Sequence, residues 1–144
     1  MNDLTAKARE VFDSDRYATE TTGIVIEHAD SHETVCTLEV TEQHCNARNV
    51  AMGGVLFTLA DFAAAVAANM SDERLLSTHH SSLRWVSLNA SIHYLSPAPK
   101  GAHLHATCKA LKQGRTTALY QTIIESPDNG NKTIAIVETT MISL

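Results

Sequence analysis

The run Gly53-Gly54-Val55-Leu56-Phe57-Thr58-Leu59-Ala60-Asp61-Phe62-Ala63-Ala64-Ala65-Val66-Ala67-Ala68-Asn69-Met70 decides the architecture. From Val55 onward it has 16 residues, six of them alanine, the strongest helix former. Only Thr58, Asp61 and Asn69 are polar, so the predicted helix is apolar nearly all round. A helix of that kind is wrapped by other structure rather than laid on a surface. With a carboxylate at its middle it also falls short of the ~20 apolar residues a membrane span needs. The expectation is a buried core helix, opened by a glycine pair and stopped at Ser71-Asp72-Glu73.

On its N-terminal side, Leu4, Ala8, Val11 and Phe12 recur at helical spacing, which predicts a short amphipathic helix from Leu4 to Tyr17. Residues 23–28 and 34–40 are β-branched runs around Asp30-Ser31-His32-Glu33, a hairpin signature. Cys36, Leu38 and Val40 alternate with Thr37 and Glu39, so one face of that second strand is apolar. On the C-terminal side every local signal is β: residues 85–95, 102–111, 116–125 and 132–142. Ser96-Pro97-Ala98-Pro99, Gly114 and Pro127-Asp128-Asn129-Gly130 separate them. Short turns predict these four strands as neighbours in a meander. The order predicts an α+β fold with one antiparallel sheet wrapped around a central helix, residues 1–144 forming a single domain.

Composition narrows the function. The 144 residues carry 11 Lys and Arg against 16 Asp and Glu, a net charge of −5, which argues against nucleic acid as a partner. Cys36, Cys45 and Cys108 form no C-x-x-C, and the charged N-terminus contains no signal-like apolar segment. A cytoplasmic protein with reduced thiols is expected, with no membrane partner. His103 and His105 share a strand face but have no third ligand in view, so a solvated face is favoured and no metal is expected. His79-His80 is read as an exposed loop. Nucleophile-elbow, Walker A, G-x-G-x-x-G and H-E-x-x-H motifs do not occur.

Asp61 carries the most information. A carboxylate inside a buried helix costs several kcal/mol unless it is paired or hydrogen-bonded. It is either a structural group bonded to a neighbour or a desolvated general base or nucleophile. Gly53-Gly54 is either a plain turn or a helix start whose free N–H groups and positive dipole end meet a developing oxyanion. Eight residues separate Gly53 from Asp61, about two turns and on the order of 12 Å of rise. One chain alone therefore cannot bring both to one carbonyl unless the substrate is long. A second copy placed by two-fold symmetry can.

With these residues in view, the chain resembles the PaaI-like (phenylacetyl-CoA thioesterase type) hotdog-fold acyl-CoA thioesterases. The family pattern is Asn, a loop, His-Gly-Gly, then Leu-x-Asp, and this sequence has Asn46, Met52-Gly53-Gly54 and Leu59-Ala60-Asp61. The strand Ser87 to Pro97 and the turn Lys112-Gln113-Gly114-Arg115 are similar as well. The resemblance implies hydrolysis of an acyl-CoA to a free acid and coenzyme A, with no metal or organic cofactor. It implies Asp61 as base or nucleophile, the Gly53 N–H as carbonyl donor, Asn46 on the carbonyl or water, and Ser87 beside the carboxylate. Gly54 and Met52 would line the substrate, and Lys100, Lys112 and Arg115 would meet the coenzyme A phosphates. It further implies a homodimer, pairing again into a tetramer, with Asp61 supplied by the other chain. Met52 departs from the family histidine and cannot replace its hydrogen bonds. That departure leaves open a slower thioesterase, an altered acyl preference, or a module that binds acyl-CoA without hydrolysing it. An oligomeric scaffold is a third reading, against which a buried Asp61 counts.

Overall fold

The computed structural model describes residues 2–76 and 83–144, so His79 and His80 lie outside the described residues. Helix α1 spans Asp3–Phe12, with the Asn2 side chain accepting from the Thr5 N–H at 2.7 Å. The buried Thr5 hydroxyl accepts from the Ala29 N–H and donates to the Ala29 carbonyl, which fastens α1 to the end of the first strand. Phe12 then meets Phe62 edge-on, with ring centroids 5.6 Å apart. The helix ends there, short of the predicted Tyr17. Asp13, Ser14 and Asp15 follow, residues whose side chains compete for backbone hydrogen bonds. A single π-helical turn, Tyr17–Thr22, takes up the remainder. It closes on Gly23 at φ +88°, a left-handed conformation that glycine adopts without strain.

Strands β1 (Val25–Ala29) and β2 (Thr34–Glu39) form the expected hairpin. Helix α2, Gly53–Met70, takes in both glycines and runs to 18 residues, eleven of them buried. By length and composition it would pass for a membrane span, but most of its surface is covered by the sheet. A one-turn α3 (Glu73–Leu76) follows. Strands β3 (Trp85–Tyr94), β4 (His103–Gln113), β5 (Thr117–Ser126) and β6 (Lys132–Ser143) complete the described residues.

All pairings are antiparallel, and the sheet order is β1-β2-β4-β5-β6-β3. The sheet curls around α2, as expected, but the last four strands are not a simple meander. Only β4, β5 and β6 follow one another, while β3 crosses over to pair with β6 and becomes an edge. The reason lies in Ser96-Pro97-Ala98-Pro99. Its two prolines lack the N–H groups of a tight hairpin, and the segment is held elsewhere. The Ala51 N–H donates to the Ala98 carbonyl, Val50 bridges Pro99, and the Gly101 N–H donates to the Val40 carbonyl. That crossover leaves β3 with an unpaired rim and exposed Val86, Leu88 and Tyr94.

Candidate active site

Three pieces of chain meet at the start of α2. The first is the loop 41–52, organised by His44. The Thr41 N–H donates to His44 Nδ1 at 2.9 Å, which places the ring proton on Nε2, and that nitrogen donates to the Thr22 carbonyl at 2.7 Å. His44 is buried, and its carbonyl accepts from the Met52 N–H. Between these anchors the Asn46 N–H donates to the Val50 carbonyl. Asn46 Oδ1 accepts from the N–H groups of Arg48 (2.9 Å) and Val50 (3.4 Å). Two backbone donors on the oxygen fix the amide orientation, so Nδ2 is the edge turned to a ligand, as a donor. Asn49, at φ +62°, completes the turn.

The second piece is the helix start. Met52 is the N-cap residue and supplies no side-chain cap, while Val55 and Leu56 N–H already turn back to its carbonyl. Among the described residues, the N–H groups of Gly53 and Gly54 meet no protein acceptor. They carry the positive end of an 18-residue helix. Gly53 leaves room for an aromatic ring, a contact no local pattern announces. The Tyr94 hydroxyl donates to the Gly53 carbonyl at 3.1 Å, and a Cβ on residue 53 would lie 2.9 Å from the Tyr94 ring. Gly54 has open space around it, and Met52 is 57% exposed.

The third piece is Asp61 with Ser87. The Ser87 hydroxyl donates to Asp61 Oδ1 at 2.6 Å, short enough for a charge-assisted bond. Within one chain Asp61 is half-buried rather than fully buried as expected. The sheet stops at the β3 edge, and hydrogen bonds from Tyr94 and Ser87 tie that edge to α2. Tyr94 meets Gly53 at one end of this seam, and Ser87 meets Asp61 further along.

A buried polar clamp sets where β3 meets α2. Asn69 Nδ2 donates to the Ala65 and Trp85 carbonyls, and its Oδ1 accepts from the N–H groups of Arg84 and Trp85. Beside it Asp72 accepts from Trp85 Nε1 at 2.9 Å and from the Arg74 guanidinium at 2.8 and 3.0 Å. The Arg74 bonds, aided by Trp85, hold the Asp72 carboxyl at a pKa of about 2. Ser87 lies two residues beyond Trp85, so this clamp delivers it to Asp61. No local pattern announces Asn69 or Tyr94 as parts of the site, and His44 is marked only by its spacing. A Thr-x-x-His capping pattern was the one readable signal, at Thr41 and His44.

The phosphate candidates divide. Lys100 sits in the exposed turn after Pro99, beside the loop that carries Asn46. Lys112 and Arg115 flank the β4–β5 turn, and Arg115 lines a cavity of about 500 Å³ with Trp85 and Ser71 at the far end of α2. Within one chain they are therefore distant from Gly53. His103 and His105 are exposed on β4, with His103 Nδ1 3.3 Å from the Asp128 carboxylate.

A helix start with free N–H donors, a loop amide and a serine-bound carboxylate, all on one hotdog sheet, define machinery for attack on an activated carbonyl. The chain belongs to the thioesterase superfamily, whose family model matches residues 48–132. It is 33% identical to acyl-coenzyme A thioesterase PaaI of Escherichia coli over 129 residues, 90% of this chain and 83% of that one. It is 37% identical to human acyl-coenzyme A thioesterase 13 over 84 residues, 58% of this chain and 54% of that protein. The chain spans only a little over half the length of the archaeal and primate curated relatives. The solved structure of E. coli PaaI superposes with a TM-score of 0.83 at 27% identity, covering 98% of this chain and 94% of that one.

Proposed function

We propose that this protein hydrolyses acyl-CoA thioesters to a free carboxylic acid and coenzyme A, in a site built by two copies of the chain. The observation that carries the reading is the unpartnered Gly53 N–H and the serine-bound Asp61 carboxylate, both on α2 where it meets the β3 edge. The matching relatives, four of them acyl-CoA thioesterases by name, support it.

The site needs a second chain for the reason already implicit in the helix. Gly53 and Asp61 stand on the order of 12 Å apart, too far to act on one carbonyl. The β3 edge offers the remedy, since an exposed apolar edge strand calls for a partner. Antiparallel pairing of two β3 strands centred between Ala90 and Ser91 sets Tyr94 of one copy opposite Ser87 of the other. The same two-fold axis, passing near Phe57 of α2, sets Gly53 opposite the other copy's Asp61. Both elements ask for one symmetry operation.

In that arrangement the thioester carbonyl oxygen accepts from the Gly53 N–H and from Asn46 Nδ2. Asp61 of the other copy removes a proton from water as the water oxygen bonds to the carbonyl carbon. The oxyanion collapses, the C–S bond breaks, and the sulfur leaves with the proton held by Asp61. Alternatively, Asp61 attacks the carbon itself and the C–S bond breaks to release the coenzyme A thiolate; water then cleaves the resulting anhydride, regenerating the carboxylate and giving its protons to the thiolate and the product acid. Lys100, with Lys112 and Arg115 of the other copy, supplies positive charge to the coenzyme A phosphates.

A second reading, acyl-CoA binding without turnover, is favoured by Met52, which offers no hydrogen bond where the family has histidine. One experiment separates the two. Purified protein and Asp61→Asn are assayed against a panel of acyl-CoAs by free-thiol release, with light scattering to follow assembly. Hydrolysis by the wild type, lost in a folded Asp61→Asn dimer, is the expected result. Equal rates in both remove Asp61 from the chemistry, and a 15.6 kDa monomer with full activity removes the shared site.

A further inference from the structure

A chamber of about 380 Å³ opens directly beside the helix start, lined by Ala51, Gly53, Leu56, Tyr94 and the segment 95–98. Among the described residues of the one chain, no charged side chain lines it. Its polar side chains are Ser96 and Tyr94, and the Tyr94 hydroxyl is already engaged with the Gly53 carbonyl. Gly53 is at once part of the wall and the residue whose N–H meets the substrate carbonyl. A carbonyl bound there therefore has one of its two substituents at the mouth of the chamber.

The two substituents of a thioester differ sharply. The sulfur side leads into pantetheine, whose amides need hydrogen-bond partners, and on to phosphates, which need cations. The chamber supplies neither. The acyl side of an apolar substrate needs only an apolar wall. Resting on the thioesterase reading above, we infer that this chamber receives the acyl group, and that Tyr94 is the residue that sets how large that group can be.

Tyr94 is suited to this role by its placement. Its ring lies against Gly53 so closely that a Cβ there would meet Cζ, the hydroxyl oxygen and Cε1 within 2.9–3.1 Å. The hydrogen bond to the Gly53 carbonyl fixes the ring in that position. Within one chain Tyr94 is 53% exposed and outside the core, and in the proposed dimer it stands at the two-fold seam opposite Ser87 of the other copy, so its truncation opens the chamber without excavating the core. An acyl group with a terminal carboxylate would bury a charge against Leu56, Leu95 and Pro97 with no cation to meet it.

The test is a chain-length profile of kcat/KM for wild type, Tyr94→Ala and Tyr94→Phe, over straight acyl-CoAs from butyryl to dodecanoyl, with succinyl-CoA included. Wild type should gain about fourfold per added methylene until the chamber fills, and then fall. Succinyl-CoA should run at least tenfold below butyryl-CoA. Tyr94→Ala should move the optimum toward longer chains by two or more carbons. Tyr94→Phe, which keeps the ring, should keep the wild-type optimum whatever its effect on rate. An unmoved optimum in Tyr94→Ala, or succinyl-CoA matching butyryl-CoA, overturns the assignment. Calorimetry with non-hydrolysable alkyl-CoA thioethers reads the same profile as affinity. If no thioester is cleaved but affinity keeps the predicted length dependence and the Tyr94→Ala shift, the hydrolytic reading fails and the chamber stands. Affinity indifferent to chain length overturns the chamber itself.

Discussion

Asn69→Ala tests the clamp that places Ser87. The side chain is 1% exposed and makes four hydrogen bonds, two as donor and two as acceptor. The Ala65 carbonyl keeps its helical partner after truncation, but the N–H groups of Arg84 and Trp85 lose their acceptor. A buried donor left unpaired costs about 1–3 kcal/mol. Arg84 stands partly in solvent and recovers some of that loss through water, so the expected destabilisation is about 3 kcal/mol. For a chain of this size that lowers the Tm by roughly 10 °C. Trp85 is the only tryptophan and lies at the lesion, so its fluorescence in a urea titration reports the effect where it arises. The entry of β3 also loosens, and kcat should fall more than KM rises, because Ser87 no longer holds Asp61. Asn69→Asp keeps one acceptor but turns a second oxygen toward two carbonyls, and it should be at least as damaging. An Asn69→Ala protein within 1 kcal/mol of wild type, with unchanged kcat, would refute the argument that this clamp sets where β3 meets α2.

Ser87→Ala removes a 2.6 Å bond to the Asp61 carboxylate and should cost about 10–100-fold in kcat, with little change in Tm; steady-state kinetics and a melt decide it. Met52→His should raise kcat/KM by about tenfold if an imidazole completes the helix start; an unchanged or lower value means the site is built around methionine. Acid should expose Asp72. Its folded pKa of about 2 lies below the ordinary 3.8, so its contribution is complete above pH 4 and is lost as pH falls toward 2. That contribution is about 2 kcal/mol, so the stability gap between wild type and Asp72→Asn should narrow across that window in denaturant titrations. Asp30 titrates over the same range, held low by the backbone N–H of Glu33 and by His28, but it is common to both proteins and cancels in the difference.

Much of this molecule is written locally in its sequence. The all-apolar run around Asp61 has to be a covered helix, because a 3.6-residue period with no polar face leaves no side for water. The alternation at Cys36, Leu38 and Val40 has to be a strand with one buried face, and all three are buried. The Asn46, Gly53 and Asp61 positions were legible as a motif because their spacing follows chain order. The rest depends on contacts between residues far apart in the chain. Sheet order is one case: β3 pairs with β6 rather than β4 because Ala51 and Val50 hold the proline segment, and neither lies near it in sequence. The half-buried position of Asp61 follows from that same edge. Tyr94 on Gly53, and Asn69 on Trp85, are contacts across 41 and 16 residues, with no periodicity to announce them. Local pattern fixes which face of each element is apolar. Only the closed set of tertiary hydrogen bonds decides which polar group stands beside which, and that is where the chemistry of the site is set.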